Sequence, residues 1–282
     1  MPLSSFRRDL QPNGGIAVKE VFYMSGLPRS GSTLLMNTMA QNTNVFCTPT
    51  SGLHQLLYDI KMSWNNIIEH RADKNAGDDE NLKRVLTATL HTYHNTDKPY
   101  IIDKCRGWGN SIEMLETILN KKVKIIAPVR DLKEVLASFE SLYRKGSYKF
   151  PPPGPMPQCI NTEGRMQHWG GLSGEVGVAY NILKDAFHRG LGDRFLLIDY
   201  DFFTREPEKT MDTVWDFLGV PRFKHDFNNV KNLTPEDDSV YNYVDLHTIR
   251  EKITPSKSKA MEILGPDLCN ATNGYEFWKQ SS

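Results

Sequence analysis

The segment at residues 21–36, VFYMSGLPRSGSTLLM, constrains the fold more than any other part of the sequence. A short apolar run leads into a loop bounded by Gly26 and Gly31, and an apolar helical pattern follows at 33–41. A strand, a glycine-bounded loop and a helix in this order direct several backbone N–H groups to one spot, where the helix dipole favours an anion. The segment therefore predicts a phosphate-binding loop.

Apolar runs elsewhere in the chain predict further buried strands. Besides 21–25, they lie at 100–103, 123–129 and 195–199. Helical patterns separate them, at 82–93, 111–119, 132–144, 175–189, 206–218 and 255–264. Because strands that alternate with helices build βαβ units, we expect a single three-layer α/β domain over residues 1–282. Its central parallel sheet should have about five strands flanked by helices, with the ligand at the carboxyl ends of the strands.

Two segments predict irregular structure. Residues 73–80 (DKNAGDDE) read as a polar loop between helices, and residues 150–158 (FPPPGPMPQ) contain five prolines that exclude a helix. The proline-rich segment is either a surface connection or a loop over a substrate cleft, and the sequence leaves both open.

The charge balance excludes one broad class of function. The chain has 34 Lys and Arg against 34 Asp and Glu, so it lacks the basic surplus of proteins that coat nucleic acids. No apolar run reaches the roughly 18 residues of a membrane span, and the N-terminus has no apolar signal region. Because the four cysteines form no CxxC pair, we expect a reduced, cytoplasmic protein without a zinc or disulfide scaffold.

The spacing of the glycine-bounded loop is that of a Walker A motif with one change. Ser32 stands where the motif has its lysine, Thr33 follows, and Arg29 supplies a cation from another place in the loop. Since a kinase or ATPase uses that lysine on the β- and γ-phosphates, the sequence disfavours nucleoside triphosphate hydrolysis. The strand, loop and helix still predict a P-loop NTPase-like fold.

The loop sequence GLPRSGSTLL resembles the 5′-phosphosulfate loop of sulfotransferases that use 3′-phosphoadenosine 5′-phosphosulfate (PAPS). It is most similar to the tyrosylprotein and bacterial branch, which has a G-x-P-R-S-G-[ST]-[ST] pattern. The resemblance implies that the donor is PAPS, that the product is 3′,5′-ADP and that no metal takes part. The residues it assigns to the phosphosulfate are Arg29, Ser30, Gly31, Ser32 and Thr33.

A second segment, VRDLKEVLAS at residues 129–138, strengthens the resemblance. A predicted strand ends at Arg130, and Asp131 is placed to cap the helix that follows. Residues 131, 134 and 138 share one helix face, which brings Ser138 to the same cleft as Arg130. An arginine fork and a hydroxyl suit a phosphate monoester. In the family such a pair holds the 3′-phosphate of the nucleotide.

The resemblance implies roles for three more residues. Lys104, at the end of the strand IID, would stabilise charge on the transferring sulfuryl group and on the leaving phosphate. Tyr200, in FLLIDY, is expected near the nucleotide or as a packed core residue. Arg250, in LHTIR, is expected to close over the donor or the acceptor.

The general base is harder to assign. The tyrosylprotein branch has a glutamate about twenty residues after the loop arginine, but this chain reads CTPTSGLH at residues 47–54. His54 is the nearest residue that titrates near neutral pH and is our candidate base. The alternatives are Asp103, His168 and His247.

The resemblance therefore implies a sulfotransferase that moves a sulfuryl group from PAPS to a hydroxyl or amine by in-line displacement. The acceptor stays unidentified, and its cleft is expected within residues 42–95 and 145–190. Two alternatives remain open: a magnesium-dependent P-loop kinase or nucleotide hydrolase, and a silent nucleotide-binding module. His91 and His94 lack a third ligand, so no metal site is predicted.

Overall fold

A computed structural model describes residues 19–73, 75, 77–146 and 159–279. Its centre is a parallel five-stranded sheet with the strand order β2-β3-β1-β4-β5. The strands are β1 (Glu20–Met24), β2 (Val45–Thr50), β3 (Tyr100–Lys104), β4 (Ile125–Val129) and β5 (Phe195–Asp199). The expected parallel sheet of five strands is confirmed.

Helices and short 3₁₀ turns connect the strands. The helices are α1 (Ser32–Met39), α2 (Leu53–Trp64), α3 (Ile68–Ala72), α4 (Asp79–Thr92), α5 (Ile112–Leu119), α6 (Leu132–Arg144), α7 (Thr162–Gly170), α8 (Glu175–His188), α9 (Tyr200–Arg205), α10 (Pro207–Leu218), α11 (Ala260–Leu264) and α12 (Pro266–Asn270). The 3₁₀ turns are Arg106–Asn110, Gly192–Arg194, Asp238–Tyr241 and Phe277–Lys279. None of the helices among the described residues has the length and apolar character that a membrane span requires.

The sheet is buried on both faces, which explains why its strands read as continuous apolar runs. Side chains alternate across a strand, so Val21 and Tyr23 of β1 join one apolar core while Phe22 and Met24 join the other. Helices cover each core from outside. The result is the three-layer α/β arrangement that the alternating pattern predicted.

Strand β2 was missed by the sequence reading. Its segment, VFCTPT, contains Pro49, which cannot donate a hydrogen bond to a neighbouring strand. The structure tolerates the proline because β2 lies at the edge of the sheet and pairs only with β3. Its register with β3 shifts between Cys47 and Thr50, next to the proline.

Two predicted segments have different bounds in the structure. Helix α4 begins at Asp79, inside the expected polar loop, because Asp78 caps it by accepting a hydrogen bond from the Asn81 amide at 2.7 Å. The helix expected at 255–264 covers only Ala260–Leu264. The proline-rich segment at 150–158 lies outside the described residues, and the single-domain expectation stays a prediction.

The strand order positions a ligand site beside β1. The chain passes from β1 to β2 and β3 on one side, and β4 then pairs with β1 on the other side. The connections that leave the carboxyl ends of β1 and β4 therefore diverge and open a crevice there. Gly26 allows the loop after β1 to pass close to β4, because a Cβ at this position would lie 2.4 Å from the carbonyl oxygen of Pro128.

Candidate active site

The loop after β1 has an unusual backbone that its surroundings hold in place. Arg29 has a left-handed φ of 56°, and Gly31 has a φ of 81°. A left-handed conformation costs an L-residue other than glycine roughly 1–2 kcal/mol, so packing must impose it on Arg29. The hydroxyl of Ser30 lies within hydrogen-bond distance of the carbonyl oxygens of Leu27 and Pro128, which fastens the loop to the end of β4.

The N-terminus of α1 faces this loop without a side-chain cap. Gly31 is the N-cap residue and makes no side-chain hydrogen bond to the first-turn amides. The first turn also contains no acidic residue, so no carboxylate competes there with an anionic ligand. Uncapped amides carry the positive end of the helix dipole, and the hydroxyls of Ser32 and Thr33 lie in the same turn.

Arg130 follows β4 directly and is nearly buried, with 12% of its side chain exposed. Its Nε lies 3.7 Å from Asp201 and its Nη2 3.7 Å from Glu134, both longer than a hydrogen bond. Those carboxylates accept hydrogen bonds from Ser256 and Ser258 instead. Among the residues that the structure describes, the buried Nε of Arg130 has no hydrogen-bond partner, which is costly unless a ligand accepts from it.

A hydrogen bond joins the two predicted phosphate motifs. Arg29 Nε donates to the hydroxyl of Ser138 at 3.0 Å, across 109 positions of sequence, and Arg29 Nη1 donates to the carbonyl oxygen of Leu246. Burial lowers the pKa of Arg29, and the nearby Arg130 lowers it further. The guanidinium still carries its charge at neutral pH, because arginine titrates far above that range.

Tyr200 packs against both motifs. The guanidinium carbon of Arg130 lies 4.5 Å from the centre of the Tyr200 ring. A Cβ on Gly31 would lie 2.3 Å from Cδ2 of the same ring, so the glycine makes room for it. The stack orients the guanidinium while its N–H groups stay available.

Arg29, Arg130, Ser138 and Tyr200 line one cleft of about 1040 Å³, at the upper end of the range for ligand pockets. Helix α6 and the segment 245–259 supply much of its wall. Among the described residues, eight cationic side chains line it against two carboxylates, Glu134 and Asp245. The cations are Arg29, Arg106, Arg130, Lys145, Arg250, Lys252, Lys257 and Lys259. Such a charge distribution attracts a highly charged anion, although the whole chain is neutral.

Lys104 ends β3, next to β1 in the sheet, and is buried. Its ammonium forms an ion pair with Glu236, with Nζ 2.6 Å from Oε1. Burial lowers the pKa of Lys104, and Glu236 opposes that change. Burial raises the pKa of Glu236, but the Lys104 ammonium outweighs it and holds that pKa below its ordinary value.

The structure brings His54 to a different neighbourhood. Its Nε2 lies 2.9 Å from the hydroxyl of Ser111, and its ring packs edge-on against Trp108 with centroids 5.1 Å apart. Burial lowers the pKa of His54, which keeps the ring neutral at pH 7. His54 is not among the residues that line the cleft, and its assignment as the base stays a prediction.

Of the alternative bases, His247 lines the cleft with Arg29 and Arg130. Asp103 is fully buried, accepts a hydrogen bond from Trp108 at 2.8 Å and lies 2.8 Å from Nε2 of His94. Asp103, on β3, and His94 therefore form a buried pair in the core. His168 lies on α7.

A protein-family model described as "Sulfotransferase family" matches residues 22–225, well over half of the 282 residues. The chain belongs to the sulfotransferase family. No curated protein matches this sulfotransferase significantly.

Solved structures similar to this sulfotransferase are distant from it. The sulfotransferase domain from the curacin biosynthetic pathway has 19% identity and a TM-score of 0.44, over 73% of this chain and 75% of that chain. The sulfotransferase domain from the Synechococcus PCC 7002 olefin synthase has 19% identity and a TM-score of 0.44, over 94% and 98%. A sulfotransferase from Alicyclobacillus acidocaldarius has 13% identity and a TM-score of 0.45, over 79% and 88%.

Sequence reasoning on this sulfotransferase missed two side chains that the structure brings to the site. Glu236 lies 132 positions from its partner Lys104, in a segment without a clear pattern, so no local signal marked it. Arg106 lines the cleft from the 3₁₀ turn after β3, and its place two residues after Lys104 is a signal that could have pointed to it.

Proposed function

We propose that this sulfotransferase uses PAPS as its donor and transfers the sulfuryl group to a hydroxyl or amine, releasing 3′,5′-ADP. The observation that carries the proposal is Arg130, a buried guanidinium in the same cleft as Ser138, whose Nε has no hydrogen-bond partner in the described part of the chain. A second anion site beside the loop at 26–33 fits a nucleotide with phosphates at both 5′ and 3′ positions.

In this proposal the two motifs divide the donor between them. Arg29, Ser30 and the uncapped amides at Gly31, Ser32 and Thr33 bind the 5′-phosphosulfate. The 3′-phosphate is bound by Arg130 and Ser138. Tyr200 and Arg250, which line the same cleft, contact the nucleotide from the side of β5 and of the segment 245–259.

The reaction forms a bond from the acceptor atom to sulfur and breaks the bond from sulfur to the bridging oxygen. The protein's task is to align the reactants and to stabilise the charge that develops on the leaving phosphate. Arg29 and Lys104 supply positive charge for that purpose. No Walker lysine is needed, which agrees with Ser32 in its position.

The acceptor proton needs a base, and His247 fits that role better than His54. Its ring lines the cleft, and its Nδ1 lies 2.5 Å from Oδ1 of Asp238. A carboxylate at Nδ1 fixes the tautomer whose Nε2 has a free lone pair for the proton. Nε2 of His54 instead lies within hydrogen-bond distance of the Ser111 hydroxyl, at 2.9 Å.

Thermal unfolding with different nucleotides tests the donor. In EDTA, we expect 3′,5′-ADP at a hundred times its Kd to stabilise the protein by about 2.7 kcal/mol over the ligand-free protein, and 5′-ADP at the same concentration to stabilise it less. ATP with Mg²⁺ should stabilise less than 3′,5′-ADP. Equal stabilisation by 5′-ADP, or a strict need for magnesium, would contradict the proposal and favour the kinase alternative.

A screen with PAPS labelled in its sulfuryl group addresses transfer itself. We expect the label to move to at least one class of alcohol, phenol or amine, with 3′,5′-ADP released in equal amount. A loss of transfer in Lys104→Met that is much larger than the loss of 3′,5′-ADP affinity would support the role of Lys104. If 3′,5′-ADP binds but no acceptor takes the label, the silent nucleotide-binding module is favoured.

A further inference from the structure

Glu236 occupies the point where two candidate catalytic groups meet. Its Oε1 lies 2.6 Å from Nζ of Lys104 and 3.7 Å from Nε2 of His247. Its Oε2 lies 3.4 Å from the hydroxyl of Tyr241. Only 4% of the Glu236 side chain is exposed, so protein groups rather than water surround this carboxylate.

A buried carboxylate is unexpected beside a cleft built for anions. Removing its charge from water is costly, and the carboxylate repels the sulfuryl group and phosphates that the neighbouring cations attract. Lys104 compensates this cost in the structure, which is why the pKa of Glu236 lies below its ordinary value. That pairing occupies the same ammonium that the reaction requires at the leaving phosphate.

His247 is oriented so that it can take the place of Lys104. Oδ2 of Asp238 accepts a hydrogen bond from the His247 backbone N–H at 3.1 Å, and Oδ1 of Asp238 lies 2.5 Å from Nδ1 of the His247 ring. Nε2 is therefore the atom directed towards Glu236. At 3.7 Å it is beyond hydrogen-bond range, as expected for a lone pair that faces a carboxylate. Protonation of Nε2 turns this repulsion into an attraction.

We propose that Glu236 is a positioning residue that serves as counter-ion first to Lys104 and then to His247. The acceptor proton moves to Nε2 of His247 as the bond from acceptor to sulfur forms. The new imidazolium pairs with Glu236, and Lys104 is released to the leaving phosphate oxygen, which keeps the electron pair of the broken bond to sulfur. This inference rests on the proposed function, since it concerns the same site.

Several charged or titratable groups influence the His247 ring. Asp238 and Tyr241 face it from the 3₁₀ turn at 238–241, with the Tyr241 ring 5.8 Å away. Glu236 and, through it, Lys104 face it from the side of β3. Arg29 donates a hydrogen bond to the backbone carbonyl of Leu246, the residue before His247. Asp245 and Arg250 lie on the same segment, 245–259, as His247. The two test variants below, at Glu236 and Lys104, each change one of these groups, and their control variants change none.

The first test is an NMR titration of the His247 ring in the ligand-free protein, so it needs neither donor nor acceptor. In Glu236→Gln we expect the ring to take up its proton at a pH about one unit lower than in wild type, because a nearby negative charge is gone. Glu251→Gln is the matched control, since Glu251 is exposed on the same C-terminal segment. An unchanged midpoint in Glu236→Gln would overturn the proposal.

Lys104→Met provides an independent arm should Glu236→Gln fail to fold. With its ammonium absent, Glu236 is free to pair with His247, and we expect the ring to protonate at a higher pH than in wild type. Lys98→Met removes another lysine near β2 and should leave the midpoint unchanged. A midpoint that does not rise in Lys104→Met would contradict the exchange of partners.

Turnover separates this inference from the proposed function. We expect Glu236→Gln to bind 3′,5′-ADP at least as tightly as wild type, because Lys104 is no longer paired with a carboxylate. It should release 3′,5′-ADP from PAPS at least tenfold more slowly, with the acidic limb of the rate profile shifted to lower pH. Water serves as acceptor until another is identified. Failure of wild type to bind 3′,5′-ADP would reject the proposed function, whereas a wild-type rate and pH profile in Glu236→Gln would reject only the role of Glu236.

Discussion

Two arginines beside α6 are alike in burial and stacking but differ in how their N–H groups are satisfied. Arg165 and Arg130 have 10% and 12% of their side chains exposed, and each lies over a tyrosine ring, at 4.1 and 4.5 Å. Arg165 makes two hydrogen bonds to Glu140, at 2.7 and 2.8 Å, and others to backbone carbonyls. Arg130 has two carboxylates at 3.7 Å, and no group of the described residues forms a hydrogen bond with its Nε.

The difference separates an arginine that stabilises the fold from one that is available to a ligand. Arg165 closes a network in which Glu140, fully buried, also accepts a hydrogen bond from Arg144. Around Arg130 the carboxylates of Glu134 and Asp201 are occupied by Ser258 and Ser256. An unsatisfied buried donor is tolerated where function requires it.

Removing Arg165 should have the largest effect on stability. Arg165→Met leaves the buried Glu140 without its bidentate partner, and we expect a loss of about 3–5 kcal/mol in the free energy of unfolding. Arg144→Met removes a half-exposed partner of the same carboxylate and should cost about 1 kcal/mol or less. Urea unfolding measures the loss of stability in both variants. Equal losses would show that the buried bidentate contact of Arg165 with Glu140 stabilises no more than the half-exposed contact of Arg144.

Removing Arg130 should have its effect on binding instead. Arg130→Ala loses charge-assisted hydrogen bonds worth about 1.5–3 kcal/mol, so we expect 3′,5′-ADP to bind about 10- to 150-fold more weakly. The free energy of unfolding without ligand should change little, because Arg130 satisfies no buried carboxylate fully. A loss of stability as large as that of Arg165→Met would remove the contrast between the two arginines.

Ser138→Ala should have a smaller effect on the same binding step. Its hydroxyl accepts from Arg29 at 3.0 Å and is proposed to contact the 3′-phosphate. Losing a neutral hydrogen-bonding group costs about 0.5–1.5 kcal/mol, so calorimetry should show 3′,5′-ADP binding about two- to tenfold more weakly. Unchanged affinity would show that Ser138 only orients Arg29.

The smallest expected effect is a pH dependence of stability at Glu236. Lys104 holds the pKa of Glu236 below its ordinary value of 4.5, so the ionised form stabilises the folded state above that pH. This contribution is lost as pH falls through the folded-state pKa. The stability difference between wild type and Glu236→Gln should therefore narrow below about pH 4.5. A constant difference in unfolding experiments from pH 3 to 7 would contradict the pairing.

The sequence predicted the parts of the site whose residues are close together in the chain. The loop at 26–33 and the pair Arg130 and Ser138 each lie on one strand-to-helix connection, where local pattern and strand order suffice. Contacts across the chain had no such signal: Arg29 meets Ser138 across 109 positions, and Lys104 meets Glu236 across 132. The same limit applies to β2, where Pro49 concealed an edge strand from a reading based on propensity.

The central claim is that Arg130 recognises a 3′-phosphate, and calorimetry on two nucleotides tests it most directly. 3′,5′-ADP and 5′-ADP are each titrated into wild type, Arg130→Ala and the exposed control Arg205→Ala. For each protein, the Kd of 5′-ADP divided by the Kd of 3′,5′-ADP gives its preference for the 3′-phosphate. We predict that wild type and Arg205→Ala prefer 3′,5′-ADP by about 10-fold or more, and that this preference is largely lost in Arg130→Ala. An equal preference in all three proteins would contradict the account.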